Sequence, residues 1–192
     1  TGQYQASSGH ISCIACEPGR YQNQEGTTEC IDCDIGEYQP NASQDECIQC
    51  AQGQYNAVTA QASCIDCDAG FYQSDKGATS CIECNLGLYQ HQSGQIDCIE
   101  CVAGQYQHEA GQSTCVECVE GKYSSASAAT DETSCIFCDK GQYQNERGKT
   151  SCIQCDAGSY QADTGQDTCI PCEAGRHKNA QGTNECIPCV AG

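Results

Sequence analysis

Residues 64–80 read CIDCDAGFYQSDKGATS, and this 17-residue stretch decides the fold because the rest of the chain repeats it. Its opening Cys-x-x-Cys pair occurs eleven times. The first cysteines of the pairs lie 17 residues apart, except for one step of 20 from Cys115 to Cys135. A short fixed period predicts stacked copies of one small unit. We therefore expect one continuous array of about eleven repeats over residues 1–192, with a lengthened repeat at 119–138.

The composition is that of a disulfide scaffold. The 192 residues include 22 Cys and neither Trp nor Met, which leaves little material for an ordinary apolar core. Disulfides persist in oxidising compartments, so we expect an extracellular or cell-surface location. A net charge of -18 argues against nucleic acid and anionic lipid as partners. No apolar run approaches the ~20 residues of a membrane span, so this segment is not expected to insert directly into a membrane.

The two ends look like pieces of one repeat. The chain opens without Met on Thr-Gly-Gln-Tyr-Gln, and it closes on Val-Ala-Gly, which together match residues 102–107. We expect the sequence to be a fragment of a longer repeat protein.

Aligned on its cysteines, the repeat is Cys-Ile-x-Cys-x-x-Gly-x-Tyr-Gln-x-x-x-Gly-x-x-x. All ten Tyr residues fall in one column and all twenty Gly residues in two, which predicts backbone shapes that other residues adopt poorly. No stretch sustains a helical period, whereas Gly-x-Tyr-Gln followed by a Gly-containing turn suits a short β-hairpin. The predicted fold is small, disulfide-rich and all-β: an elongated rod or solenoid of hairpins with a disulfide ladder. We expect each Tyr to pack against the Ile of a neighbouring repeat.

Three cysteine pairings respect the period. The second cysteine of one pair can bond the first of the next (Cys16 to Cys30), the bonds can cross outward (Cys13 to Cys33), or each pair can close on itself. The spacing favours the first because it encloses a turn and keeps contacts local, but spacing alone leaves the connectivity open. Zinc is the competing interpretation, since paired Cys-x-x-Cys motifs suit tetrahedral coordination. Zinc would produce a 34-residue super-period, and odd and even repeats show no alternation.

The unit Cys-x-x-Gly-x-Tyr … Gly … Cys-x-x-Cys resembles the single-disulfide module of tumour-necrosis-factor-receptor cysteine-rich domains. It is more similar still to the ephrin-receptor-like repeats of large eukaryotic surface proteins. The resemblance covers the whole chain and implies a row of β-modules with the Cys16-to-Cys30 type of bond. The two-disulfide modules of the receptor domains are missing, which argues against cytokine binding.

The implied disulfides join cysteines of successive pairs, and the first and last cysteines, Cys13 and Cys189, are left for partners outside the sequence. The cysteines of the implied ladder are Cys16, Cys30, Cys33, Cys47, Cys50, Cys64, Cys67, Cys81, Cys84, Cys98, Cys101, Cys115, Cys118, Cys135, Cys138, Cys152, Cys155, Cys169, Cys172 and Cys186.

Three local features carry further expectations. Asn41-Ala42-Ser43 is a sequon on a predicted turn, so we expect an N-linked glycan at Asn41. The extra three residues of the lengthened repeat are placed within residues 124–130. Acidic residues crowd the cysteines and predict a solvated negative surface, with weak, diffuse calcium binding as the alternative. These residues are Asp32, Asp34, Asp66, Asp68, Glu83, Glu100 and Glu117.

No enzyme is predicted, and no catalytic, cofactor-binding or metal residues are assigned, because the four His residues do not recur with an acid or nucleophile. Near-uniform repeats favour a structural extracellular protein that forms or stiffens a surface filament, hair, stalk or matrix fibre. Its partners would be further copies of itself or neighbouring surface proteins. The alternatives are a spacer or ligand-binding ectodomain of a receptor, adhesin or variant surface antigen, and a metal-storing protein with reduced thiols.

Overall fold

The computed structural model describes residues 1–9 and 11–190, and His10, Ala191 and Gly192 lie outside the described residues. Within the described part, the chain forms eleven two-stranded antiparallel hairpins and one short 3-10 helix. Every strand has two residues, which is below the usual strand length. The fold is thus a set of small disulfide-rich all-β modules, as the sequence predicted.

The hairpins are, in chain order, β1 (Gln3–Tyr4) with β2 (Ile14–Ala15), β3 (Arg20–Tyr21) with β4 (Ile31–Asp32), β5 (Glu37–Tyr38) with β6 (Ile48–Gln49), β7 (Gln54–Tyr55) with β8 (Ile65–Asp66), β9 (Phe71–Tyr72) with β10 (Ile82–Glu83), β11 (Leu88–Tyr89) with β12 (Ile99–Glu100), β13 (Gln105–Tyr106) with β14 (Val116–Glu117), β15 (Lys122–Tyr123) with β16 (Ile136–Phe137), β17 (Gln142–Tyr143) with β18 (Ile153–Gln154), β19 (Ser159–Tyr160) with β20 (Ile170–Pro171), and β21 (Arg176–His177) with β22 (Ile187–Pro188).

One register is shared by all the hairpins. In β9–β10, Tyr72 lies opposite Ile82, and Phe71 lies opposite Glu83. The hairpin is closed by the amide of Cys84, which donates to the carbonyl of Gly70 at 2.9 Å. In the Cys-to-Cys alignment Ile82 belongs to the repeat after that of Tyr72, so this cross-strand pair sets each Tyr opposite the Ile of the neighbouring repeat, the partner that the sequence predicted.

Backbone hydrogen bonds join each hairpin to the next one along the chain. The amide of Gly70 donates to the carbonyl of Gln90 at 2.7 Å, and the amide of Gln73 donates to the carbonyl of Gln95 at 3.0 Å. Bonds of these two types recur along the chain, from Gly2 with Gln22 to Gly158 with Lys178. Repeat coupling therefore uses main-chain groups, which every sequence variant of the repeat retains.

A second set of contacts skips one repeat. The carbonyl of Cys84 accepts from the amide of Gly111, which lies in the turn two hairpins later, at 2.9 Å. The carbonyl oxygen of Gly111 in turn faces Gly70, where a Cβ atom would lie well under 3.0 Å from it. Three successive repeats are thus needed to complete the surroundings of one hairpin.

The chain divides into two compact units, and the skipping contacts explain their boundaries. The first unit comprises Thr1–Cys84, Gln90–Cys98 and Gly111–Ser113. The second comprises Asn85–Tyr89, Ile99–Ala110 and Thr114–Gly192. The turn segments 90–98 and 111–113 belong to the first unit because they bond to the hairpins that precede them.

The two glycine columns have the backbone that the sequence predicted. All 19 glycines among the described residues have positive φ. Where the second column lacks glycine, the substitutes Ser43, Ala60 and Ala128 adopt φ of 62°, 58° and 49°. The turn therefore imposes a left-handed conformation even on residues that find it unfavourable.

The lengthened repeat follows the alignment of the other repeats as far as Ala129, which is further along the loop than the sequence suggested. Ala128 occupies the second-glycine position, because its amide donates to the carbonyl of Cys101 at 2.8 Å, as glycine does in other repeats. The placement of the insertion within residues 124–130 is therefore wrong. The extra residues follow Ala129 and form the 3-10 helix Glu132–Ser134, which Asp131 caps by accepting from the amide of Thr133.

The skipping contact predicts unequal effects of one substitution at two matched glycines. Gly70 and Gly158 share a column and have φ of 90° and 86°, but no described atom lies within 4 Å of a Cβ built on Gly158. Gly158→Ala should cost only the left-handed strain, about 1–2 kcal/mol. Gly70→Ala should cost about 2 kcal/mol more, because the Gly111 carbonyl must move.

Thermal unfolding of the oxidised variants and hydrogen exchange at the Gly111 amide measure this difference. We expect Gly70→Ala to give the lower midpoint and to expose that amide. Equal midpoints would show that the contact across two repeats contributes nothing.

Candidate functional site: the inter-hairpin core and its outer face

Ten disulfides link successive hairpins. Each joins the second cysteine of one pair to the first cysteine of the next, at a sequence separation of 14, or 17 in the lengthened repeat. The Cα–Cα distances lie between 5.5 and 5.8 Å, in the usual range for disulfides. The bonds are Cys16–Cys30, Cys33–Cys47, Cys50–Cys64, Cys67–Cys81, Cys84–Cys98, Cys101–Cys115, Cys118–Cys135, Cys138–Cys152, Cys155–Cys169 and Cys172–Cys186. These are the pairs that the family resemblance implied.

The second cysteine of the pair is almost completely buried in nine of the eleven repeats. From Cys16 to Cys155 these cysteines are at most 1% exposed. The first and last cysteines of the chain, Cys13 and Cys189, are exposed, and neither forms a disulfide among the described residues.

A buried amide column completes the core. The residue after Tyr is Gln in eight of the eleven repeats, and in the interior repeats its side chain is 2–6% exposed. Gln73 shows the pattern: its Nε2 donates to the carbonyl of Ser80 at 2.8 Å, and its Oε1 accepts from the amide of Asp75 at 3.0 Å. The side chain thus spans the hairpin loop and satisfies main-chain groups at both of its ends. Sequence reasoning missed this role, although the Gln column was visible in the alignment.

The repeats without glutamine use other contacts. Asn56 is one methylene shorter, and its Nδ2 donates instead to the carbonyl of Glu37 in the preceding repeat at 2.8 Å. Ser124 makes only the local bond, accepting from the amide of Ala126 at 3.3 Å. In the last repeat, where Lys178 follows His177, the guanidinium of Arg176 donates to the carbonyl of Cys186 at 3.2 Å.

In the lengthened repeat, side chains of the loop itself replace the missing amide. Lys122 pairs with Glu132 at 2.7 Å, and this hydrogen bond and charge lower the pKa of the Glu132 carboxyl. The side chain and amide of Thr133 both donate to Asp131, which lowers the pKa of Asp131. Both carboxylates therefore stabilise this loop when ionised.

The amide column predicts a specific loss in one variant. Gln73→Met keeps the volume but removes both bonds, leaving the Ser80 carbonyl and the Asp75 amide without partners. We expect a cost of about 1–3 kcal/mol. Gln92→Met, at an exposed position, is the matched control.

Urea unfolding of the oxidised chain and hydrogen exchange at Asp75 give the readout. The control should unfold like the unsubstituted protein. If Gln73→Met did so as well, the buried amide would have no part in holding the loop.

The outer face of the hairpins carries apolar side chains. The Ile or Val that follows each first cysteine is 38–55% exposed, and the Tyr opposite is only half-buried where it is described. Shallow grooves open beside some of these pairs, and one of them has a volume of about 650 Å³. Tyr4, Ile14 and Ile31 line it, so this groove places apolar groups of two successive repeats side by side.

Five of the seven acidic residues named near the cysteines lie on the same exposed strands, and the other two, Asp34 and Asp68, directly follow the second cysteine of a pair. Arg20 pairs with Asp32, its cross-strand partner, at 2.7 Å. Asp66 accepts from Nε2 of Gln54, its own cross-strand partner, at 2.8 Å. Within residues 1–9 and 11–190, no three His, Cys, Asp or Glu side chains come together as a possible metal-binding group.

The histidines occupy separate surroundings. The ring of His108 lies 5.8 Å from that of Tyr106, and its Nε2 is 3.9 Å from Glu109. Nδ1 of His177 lies 3.6 Å from the sulfur of Cys189. His10 lies outside the described residues, and no helix among the described ones has the length and apolarity of a membrane span.

Asn41 lies on the surface. It is exposed, and its amide donates to Oε1 of Gln39 at 3.0 Å, so the sequon begins at a fixed turn. The third sequon residue, Ser43, donates its amide to the carbonyl of Cys16 at 2.9 Å.

Repeated hairpins and tandem disulfides define an extracellular or cell-surface cysteine-rich repeat protein. The sequence profile of the family described as tyrosine-protein kinase ephrin type A/B receptor-like matches residues 19–60, 53–95, 74–103, 87–135, 131–165 and 158–192. The chain therefore belongs to this ephrin-receptor-like family of cysteine-rich repeats. No curated protein matches the chain.

Proposed function

We propose that the protein is a structural, non-catalytic component of an extracellular filament, hair, stalk or matrix fibre that resists extension. The observation that carries this proposal is the path of covalent bonds along the chain. A disulfide bypasses the 14 backbone steps from Cys67 to Cys81, and three steps then lead to Cys84, where the next disulfide begins. Tension on the oxidised chain therefore acts on only three of every 17 backbone steps.

The length that tension can extract is correspondingly small. Three extended residues span about 10–11 Å, whereas 17 would span about 56–61 Å. Even when the 5.7 Å Cα–Cα distance across one disulfide is added, most of the repeat's extended length stays inside the disulfide-closed loop. A chain built this way transmits force with little lengthening, and every repeat contributes in the same manner.

The surface supports assembly with other molecules. Apolar side chains recur once per repeat on the outer face, and a glycan on the exposed Asn41 would mark the turn of the third hairpin. The partners are further copies of the chain or neighbouring surface proteins, and weak calcium binding at the carboxylates is a minor contribution. We expect Cys13 and Cys189 to pair with cysteines outside residues 1–192.

A receptor or adhesin ectodomain is the second candidate, favoured by the receptor-type family to which the repeats belong. In that case the array is a spacer or a ligand platform. A spacer needs the same resistance to extension, so mechanics alone does not separate the two functions. Assembly does.

Electron microscopy of the purified, oxidised chain distinguishes these functions. We expect polymers of indefinite length at high protein concentration, with Cys13 and Cys189 alkylated so that new disulfides play no part. Discrete single molecules at every concentration would contradict the filament proposal and support the ectodomain.

A further inference from the structure

The sequon that begins at Asn41 lies in a turn that the folded chain holds in place. It belongs to the loop between β5 and β6, which the disulfide Cys33–Cys47 closes. Asn41 is exposed, but an exposed Asn is not sufficient for N-linked transfer, because the sequon is recognised through the Asn carboxamide and the Ser hydroxyl together. Both groups must therefore enter one concave active site.

Ser43, the third residue of the sequon, is fixed by contacts with repeats that precede it. Its backbone is left-handed, with φ of 62°, in the column where most repeats have Gly. Its amide donates to the carbonyl of Cys16 at 2.9 Å. Its own carbonyl faces Gly2, where a Cβ atom would lie well under 3.0 Å from it. Ser43 therefore cannot leave the surface without opening the contact across two repeats.

The residues on both sides of this serine are bonded as well. The carbonyl of Gln44 accepts from the amide of Gln22 at 3.1 Å, and the amide of Asn41 donates to Oε1 of Gln39 at 3.0 Å. Gln39 is 2% exposed, and its Nε2 donates to the carbonyl of Glu46 at 2.8 Å. An active site that draws the sequon out of the turn must break these bonds inside a disulfide-closed loop.

The groups that hold the turn are available early in synthesis. Gly2, Cys16 and Gln22 all precede the sequon in the chain, and Cys47 lies only four residues beyond Ser43. The turn can therefore close before most later repeats have been made. Loop closure and glycan transfer thus compete for the same short stretch of chain.

We infer that the glycan must be transferred to Asn41 before the Cys33–Cys47 disulfide closes, so that the reduced chain is the acceptor and the folded chain is not. In the transfer, Nδ2 of Asn41 attacks the anomeric carbon of an oligosaccharide carried on a lipid pyrophosphate. A C–N bond forms, the C–O bond to the lipid pyrophosphate breaks, and Nδ2 loses a proton to a base of the transferase. This order of events does not depend on whether the protein forms filaments.

An acceptor assay on the full 192-residue chain, purified without glycan, tests this order. The loop-opened variant carries Cys33→Ser with Cys47→Ser. The matched control carries Cys138→Ser with Cys152→Ser, which opens a later loop that contains no sequon. Each oxidised protein is incubated with solubilised oligosaccharide transferase and the lipid-linked oligosaccharide, and mass spectrometry measures the glycosylated fraction.

The loop-opened variant should accept the glycan about tenfold faster than the unsubstituted oxidised chain, because modification of a folded segment follows the population of its open form. The control should accept it as slowly as the unsubstituted chain. Full reduction and alkylation should make all three proteins equally good acceptors. Ser43→Ala, which puts in this column the residue found at Ala60, should abolish transfer in every state because the hydroxyl is lost.

Transfer to the unsubstituted oxidised chain at the rate of the loop-opened variant would overturn the inference, because the folded turn would then be an acceptor. A control as fast as the loop-opened variant would also overturn it, since the effect would not belong to this loop. A reduced chain that never receives the glycan would remove Asn41 as an acceptor, and the inference with it.

Discussion

The disulfide between successive hairpins is the constraint on which the rest of this structure depends. Each hairpin has strands of only two residues, and such a unit has too little hydrogen bonding and apolar burial to order itself. The bond from Cys67 to Cys81 fixes the end of one hairpin, after β8, against the start of β10, the second strand of the next hairpin. With that distance fixed, the main-chain bonds from Gly70 to Gln90 and from Gly111 to Cys84 form between groups already held close together.

The interior that results is made of sulfur and amide rather than aliphatic side chains. Most second cysteines and the glutamine column are buried, whereas Ile is exposed and Tyr is half-buried. A buried amide is tolerated because both of its ends are bonded to the loop that surrounds it. Because cysteine and glutamine fill the interior in place of aliphatic side chains, the apolar residues are available to other molecules. The loops can also differ in sequence without disturbing the core. In the lengthened repeat, Ser124 lacks the reach of glutamine, and an ion pair and a capped 3-10 helix hold the loop instead.

Much of this fold follows from the repeat. The period predicts the modules, Gly-x-Tyr-Gln predicts the first strand of each hairpin, and the confinement of glycine to two columns predicts their left-handed backbone, now seen at Gly70 and Gly77. The partners of the hairpins could not be predicted so well. Nothing in the spacing tells that Gly111 reaches back across a whole repeat to Cys84, because main-chain bonds leave no signal in side-chain identity. Gln73 was missed for a related reason: polar residues are mostly exposed, and only the loop geometry shows that this one is enclosed.

The most direct test of the covalent constraint is force spectroscopy on one molecule, pulled from its two ends before and after reduction. The oxidised chain should reach its limit early, and reduction should release about 40 Å for each disulfide that spans 14 backbone steps. An oxidised chain that extends as far as the reduced one would contradict the account, because the disulfides could not then be bypassing most of every repeat.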